Sequence, residues 1–394
     1  MSDPVVIAGL ARTPMGGMQG TLGTVAAPSL GAAAIKKALE RAKISPDAVD
    51  ETIMGCVLAA GLGQAPARQA SIKAGIPSAV GCTTVNKMCG SGMKAVMFAH
   101  DAIKAKSADI VVAGGMESMT NSPYLLPKVR DGMRLGHGEM LDHMFFDGLE
   151  DAFEKGRLMG TFAEDCARKY KFTRDAQDQY AIESLNRARQ AVADGSFSRE
   201  IAEVIVESRK DSFEIETDEQ PGKAKLDRIT ALRPAFAKDG TVTAANSSSI
   251  SDGAAALVLT SLTNAKAMGI DRRATIVGHS THAQEPGWFT TAPVSAVRKL
   301  LERVGWSIDD VGLFEINEAF AVVAMAAMSD LEIPHSKLNV RGGACALGHP
   351  IGASGARILV TLLHAMEDLG HSRGIASLCI GGGEATAVAI EIGE

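Results

Sequence analysis

The sequence predicts an α/β fold made of two related halves, with a charged block inserted into the first. Three observations carry this. Apolar, β-rich runs alternate with amphipathic helical runs over most of the chain, the pattern of a sheet covered by helices. The second half repeats the order of the first: Ala274-Thr-Ile-Val-Gly278 mirrors Val5-Val-Ile-Ala-Gly9, and a glycine-rich turn, a helix and a strand ending in glycines follow in each. Between 119 and 243 the texture changes and charges cluster, as in Asp147-Gly-Leu-Glu-Asp-Ala-Phe-Glu-Lys155. A chain of 394 residues is also long for one core. The expected division is 1–118 plus 244–270 for the first half, 119–243 for the insertion and 271–394 for the second half.

Taken in order, 5–10 reads as a buried parallel strand, apolar and bounded by Pro4 and Arg12-Thr-Pro14. A helix is expected over 29–42, with Leu30, Ala34, Ile35, Ala38 and Leu39 on one face. A strand over 53–58, a helix over 66–74 and a strand over 81–86 lead to a turn at Met88-Cys-Gly-Ser-Gly92. A helix over 93–104 and a strand over 108–113 follow, the strand running into Gly114-Gly-Met-Glu-Ser118. Inside the insertion, 174–193 reads as a long helix with Ala176, Tyr180, Ala181, Leu185, Ala188 and Val192 on its apolar face, ended by Gly195. Strands are then expected over 254–259, 274–279, 311–316 and 375–380, with a helix over 356–369 before the last. Strands alternating with helices predict parallel pairing.

Composition narrows the function. Apolar residues make up 46% and charged residues 22%, as in a well-packed soluble protein. A net charge of −6 argues against nucleic acid as partner. The six cysteines show no CxxC pair and no Cys/His metal spacing, so neither a metal nor a disulfide framework is expected. A reducing, cytoplasmic setting fits them. No apolar run reaches membrane-spanning length, and neither end carries a recognisable targeting address.

Cys89 stands at a strand-to-helix turn, where helix N–H groups favour an anion. That placement predicts a lowered thiol pKa and a nucleophilic thiolate. Gly90 and Gly92 clear the turn for close approach of an acyl group. Taken alone, such a cysteine is more often an inert core residue. Three further segments fall at strand ends or turns, where α/β sheets place their ligands: Asn317-Glu-Ala-Phe-Ala321, Gly348-His-Pro-Ile-Gly352 and Leu378-Cys-Ile-Gly-Gly-Gly383. Each also has an ordinary reading. His349 could be a turn residue, Cys379 a core residue, Asn317 a helix cap, and Gly381 part of a chain reversal. Together they supply two thiols, an imidazole, an amide and glycine N–H groups, which is a set suited to acyl transfer.

The Cys89 run, Asn317-Glu-Ala-Phe-Ala, Ala346-Leu-Gly-His-Pro-Ile-Gly-Ala-Ser-Gly-Ala-Arg357 and Cys379-Ile-Gly-Gly-Gly resemble the thiolase family in order and spacing, as does Ala11-Arg-Thr-Pro14. The resemblance implies duplicated α/β halves in α-β-α-β-α layers, with an inserted loop domain that holds coenzyme A. It implies that Cys89 is the acylated nucleophile. His349 would take its proton and help form an oxyanion hole, Asn317 would hold the water completing that hole, and Cys379 would move a Cα proton. The N–H groups of Cys89 and Gly381 would form a second hole. Around the pantetheine arm it points to Ser248, Ala244, Leu149, Met159, Ala319 and Phe320. No cofactor is implied, since coenzyme A is substrate and product. The implied reaction is the joining of two acetyl-CoA into acetoacetyl-CoA and CoA and its reversal, in a homo-oligomer, a dimer or tetramer.

The chain also departs from the family pattern. Leu158 stands where short-chain members have His, and Ser247-Ser-Ser249 where Ala-Ser-Gly is usual. Trp288-Phe289 replaces smaller or thioether residues, and Glu384-Ala385 replaces Gln-Gly. Lys223, Lys225 and Arg228 are equal candidates for the CoA phosphates. The rival readings are a degradative 3-ketoacyl-CoA thiolase of broader chain length, and a non-catalytic acyl-CoA or lipid carrier on the same fold. A ketoacyl synthase is disfavoured, because Asn317 occupies the place where one of that class's two histidines would be needed.

Overall fold

The computed structural model describes residues 3–207 and 210–393. Nine strands form one continuous path: β1 (Val5–Arg12), β2 (Glu51–Gly55), β3 (Gly81–Val85), β4 (Ile110–Ser118), β5 (Ser251–Ser261), β6 (Ala274–Ala283), β7 (Leu313–Ile316), β8 (Arg373–Ile380) and β9 (Glu384–Glu391). Their spatial order is β7-β8-β9-β6-β1-β5-β4-β2-β3. The repeat read in the sequence is visible in this order. From the centre outward, β1, β5, β4 and β2 of the first half match β6, β9, β8 and β7 of the second. The halves meet where β1 and β6 pair antiparallel through Val5–Ile276, Val6–Thr275 and Ile7–Ala274.

The sheet is mixed, not parallel as the alternation of elements suggested. β1 pairs antiparallel with β5, and β5 with β4. In the second half β9 runs antiparallel to both β6 and β8. Only the outer pairs, β4–β2, β2–β3 and β7–β8, are parallel. Apolar runs report burial on both faces but not direction, which is why β1 was misread.

The helices that cover the sheet are α1 (Ala27–Ala42), α2 (Pro66–Lys73), α3 (Ser91–Lys104), α6 (Ala292–Val304), α7 (Ala321–Leu331) and α8 (Ile351–Leu369); α4 (Met159–Tyr170) and α5 (Arg174–Ala193) belong to the inserted stretch. α3 and α8 lie between the two half-sheets and share one core with Ala113, Leu257, Leu378 and Ile390. α1 and α2 cover the outer face of the first half, and α6 and α7 that of the second. The layers are therefore α-β-α-β-α.

Every residue of α8 from Ile351 to Met366 is buried, the polar Ser354, Arg357, Thr361 and His364 included, so the helix is covered on all sides. It begins at Ile351, earlier than the 356 expected, because packing on all sides offsets the helix-weakening glycines in Ile351-Gly-Ala-Ser-Gly355. Close approach explains those glycines. A Cβ on Gly92 of α3 would lie 2.9 Å from the Ala356 nitrogen of α8, and one on Gly355 would lie 2.5 Å from the Met93 nitrogen.

The buried face of α5 is more polar than expected. It includes Gln177, Asp178 and Ser184, while Ala176 is exposed. Gln177 donates to Thr241, Asp178 accepts from Asn246, and Ser184 donates to Glu318, while the Gln177 Oε1 has no partner among the described residues. Among the described residues no helix is long and apolar enough to cross a membrane.

Candidate active site

The turn between β3 and α3 presents Cys89. Met88 before it adopts a left-handed backbone, φ +47°, a conformation that non-glycine residues hold only when the surroundings enforce it. Ser91 supplies the enforcement: its hydroxyl donates to the Met88 carbonyl at 2.6 Å and accepts from the Lys87 N–H at 2.9 Å. Lys87 forms an ion pair with Glu384, which lies just beyond the glycines following β8. The Glu384 departure thus ties the two site-bearing turns together.

A cavity of about 500 Å³ opens at this turn. Cys89, His349, Cys379 and Gly381 line it together with Ala244, Ser248, Leu149, Met159, Ala319 and Phe320. Ten of the eleven residues singled out in the sequence thus converge on one space. The eleventh, Asn317, lies behind His349, with its Nδ2 3.4 Å from the imidazole Nδ1. It does not cap a helix: α7 starts at Ala321, after an extended Phe320. Ser248 donates through both N–H and Oγ to the Ala319 carbonyl, 3.0 Å each, joining two segments of the cavity wall. Of the Trp288-Phe289 pair only Phe289 lines the cavity. Trp288 instead lies under the Lys169 ammonium, 4.1 Å from its ring centroid.

The electrostatics overturn one expectation. Cys89 is not an acidic thiol, because burial pushes it up to about 11. The backbone N–H groups of Gly381 and of Cys89 itself oppose that rise without matching it, and the Glu117 carboxylate adds to it. Burial also raises Cys379, with the nearby Cys89 adding to the rise. His349 is driven down to about 3 by burial and by the buried Arg357 guanidinium. The site therefore rests as neutral thiols beside a neutral imidazole. Such a pair passes a proton as the new bond forms, rather than holding a thiolate–imidazolium pair in advance.

Several supporting residues had no signal beyond their motif. Glu117 is wholly buried and accepts from the N–H groups of Val57, Leu58 and Gly352, at 3.0, 3.1 and 2.8 Å. It pins the end of β2 to the start of α8. Glu318 accepts from the Tyr180 and Ser184 hydroxyls, the Asn339 amide and the Cys345 N–H. It fastens the Asn317 turn to α5 and to the glycine-rich turn before His349. A carboxylate inside an apolar run was the one available hint of a buried anchor.

A second cavity of about 290 Å³ adjoins the first, sharing Ala244 and Ser249, and Lys225 and Arg228 line it. Lys223 does not line it and pairs with Glu219. All six cysteines are free. Among the described residues one donor set could hold a metal ion, His100, Asp101 and His279, and none of the three lines either cavity.

Comparison with known proteins bears on this arrangement. The family model described as "Thiolase, N-terminal domain" matches residues 5–263, and "Thiolase, C-terminal domain" matches 270–392. The chain is 50% identical over 393 residues to an acetyl-CoA acetyltransferase of Cupriavidus necator, covering 99% of this chain and all of the relative. It is 46% identical to the cytosolic acetyl-CoA acetyltransferase of Mus musculus, covering 100% of this chain and 99% of the relative. Among solved structures it resembles the Acat5 thiolase from Ascaris suum in complex with coenzyme A, with TM-score 0.93, 42% identity and coverage of 98% and 99%. It also resembles the acetyl-CoA acetyltransferase of Bacillus anthracis, with TM-score 0.96, 39% identity and 99% of each chain covered.

Proposed function

The chain belongs to the thiolase family, and from that premise we propose that its cavity performs acetyl transfer between two molecules of acetyl-CoA. The products are acetoacetyl-CoA and CoA, and thiolysis is the reverse. The protein is an acyltransferase enzyme. The observation that carries the reading is the convergence of Cys89, His349 and Cys379 on one largely apolar cavity.

In this reading the Cys89 sulfur attacks the thioester carbonyl carbon as its proton passes to Nε2 of His349. The carbonyl oxygen is held by the N–H groups of Cys89 and Gly381. The CoA sulfur leaves and takes the proton from His349. Residues 119–243 supply part of the wall for the pantetheine arm, through Leu149 and Met159, opposite Ala244, Ser248, Ala319 and Phe320. A second acetyl-CoA then gives up a Cα proton to Cys379, whose thiol first releases its own proton to solvent and regains one at the end of the cycle. The thiolate is a strong base for the same reason that burial raises the thiol. Its enolate oxygen is stabilised by His349 and by a water on Asn317. The new carbon–carbon bond expels Cys89, which recovers the proton from Cys379.

No cofactor is needed, because the thioester already activates both the carbonyl and the Cα. Lys225 and Arg228 are the better placed cations for the CoA phosphates, since Lys223 is engaged by Glu219. Free thiols throughout suit a reducing cytoplasm. A homo-oligomer belongs to the same reading: the sheet path ends on β3, whose strand is half exposed.

The test is CoA-dependent thiolysis of acetoacetyl-CoA beside a 3-ketoacyl-CoA of about ten carbons, with Cys89→Ala as control. Preference for acetoacetyl-CoA, abolished in Cys89→Ala, is expected. Equal or faster turnover of the long chain would move the assignment to degradative thiolases.

A further inference from the structure

His349 is held from one side only. Its Nδ1 lies 2.6 Å from the Ser354 hydroxyl, while Nε2 has no protein partner although the ring lines the cavity. Ser354 sits in the first turn of α8, is wholly buried, and its hydroxyl reaches back to the Pro350 carbonyl at 2.9 Å. A hydroxyl has one hydrogen and two lone pairs. If the hydrogen goes to Pro350, a carbonyl that can only accept, then Ser354 can meet Nδ1 only as an acceptor. That requires the ring proton on Nδ1 and leaves Nε2 bare.

The competing neighbour is Asn317, whose Nδ2 is a donor 3.4 Å from Nδ1. The Arg357 guanidinium holds the other end of that amide, donating to Oδ1 at 3.3 Å. Alone, the amide would favour an unprotonated Nδ1 and put the proton on Nε2. At 3.4 Å against 2.6 Å it is the weaker influence.

We propose that Ser354 is a positioning residue for the imidazole, keeping the proton on Nδ1 and turning the Nε2 lone pair toward the Cys89 sulfur. The assignment rests on the reading of His349 as base. In the step it serves, the S–H bond of Cys89 breaks as the S–C bond forms, and the proton goes to Nε2. The imidazolium so formed keeps its Nδ1–H on Ser354 until Nε2 returns the proton to the departing CoA sulfur. Asn317 supplies the complementary seat: once CoA has left, Nδ1 releases its proton to solvent as Nε2 takes one up, the amide becomes the donor to Nδ1, and Nε2–H faces a thioester oxygen. One ring thus serves as base in the first half-reaction and as donor in the second.

The test combines the ¹⁵N spectrum of enzyme labelled at histidine with rapid-quench measurement of Cys89 acetylation by acetyl-CoA. His349→Gln identifies the His349 signals by their loss. The wild-type ring is expected to carry its proton on Nδ1. In Ser354→Ala the proton is expected to move to Nε2, and acetylation to slow about 10- to 100-fold, part of what a positioned base contributes. The concentration of acetyl-CoA giving half-maximal acetylation should stay unchanged. A wild-type ring protonated on Nε2 would overturn the proposal even if Ser354→Ala fails to fold. An unchanged tautomer and rate in folded Ser354→Ala would overturn it as well. Full-rate acetylation by His349→Gln would instead remove the base reading itself, so the two failures are separable.

Discussion

Cys89 and Cys379 share a cavity, and their proposed tasks can be separated by experiment. Only Cys89 forms a bond to the acetyl group, so Cys379→Ala should still acquire an acetyl group on Cys89 when mixed with acetyl-CoA, as read by mass spectrometry. Condensation should fall at least 100-fold, the lower range of what a positioned proton carrier supplies. Loss of acetylation in that variant would show that the two thiols act as one unit. At the rim, Lys225→Ala or Arg228→Ala should raise the KM for CoA about two- to fivefold, the worth of one exposed ion pair, with the effect shrinking as salt is added. An unchanged KM in both would return the phosphates to other cations. The residues proposed to react were legible in the sequence because thiol, imidazole and glycine stand in short distinctive runs. Ser354 was not, because in Gly-Ala-Ser-Gly-Ala-Arg it reads as ordinary helix. Its importance comes from facing Nδ1 of His349, which only the course of α8 decides. The direction of the Cys89 shift was misjudged for a related reason: a turn before a helix suggests an anion site, but burial is invisible in a local run.

At the scale of elements, α3 and α8 approach so closely that side chains are missing from both faces. Placing a methyl group at Gly92 or Gly355 would press on backbone atoms of the opposite helix, and backbone cannot turn aside as a flexible side chain can. Gly92→Ala or Gly355→Ala should therefore cost about 1–3 kcal/mol from overpacking, partly offset by the better helix propensity of alanine, about 1 kcal/mol. A lower melting temperature together with lost activity is expected, since α3 carries the Cys89 turn and α8 follows His349. A variant more stable than the parent would mean that the helices can separate without harm. The helices, the glycine turns and the twofold pattern were legible from periodicity. Strand direction was not. β5 and β9 look like any buried strand: β5 is brought beside β4 by the long stretch between Ser118 and Ser251, whereas β9 folds back on β8 through the tight turn Gly381-Gly-Gly383.

Across the whole molecule, buried titratable groups set opposing dependences on pH. His349 and His364 are both driven from 6.5 to about 3 by burial. The unfolded chain therefore takes up these protons first, and acidification from about 6.5 toward 3 removes stability. Burial raises Glu117 from 4.5 to about 7 and Glu315 from 4.5 to about 8. Here the folded chain holds protons that the unfolded chain has released, so stability falls as pH rises from about 4.5 toward 8. The two pairs oppose each other between 4.5 and 6.5. A melting temperature nearly flat across that interval and falling on either side is expected from thermal scans between about pH 3.5 and 8.5. A steady climb across the whole range would contradict it.

The position of β5 and β9 also bears on how the chain is made. Each lies inside its half-sheet, β5 between β1 and β4 and β9 between β6 and β8, yet each is the last strand of its half in sequence. As the polypeptide leaves the ribosome, β1 and β4 have no direct partnership to form until residue 251 has emerged. The second half waits in the same way for residue 384. Each half-sheet is thus closed by a keystone strand, and a nascent chain cut short before it has the flanking strands but not the one that joins them.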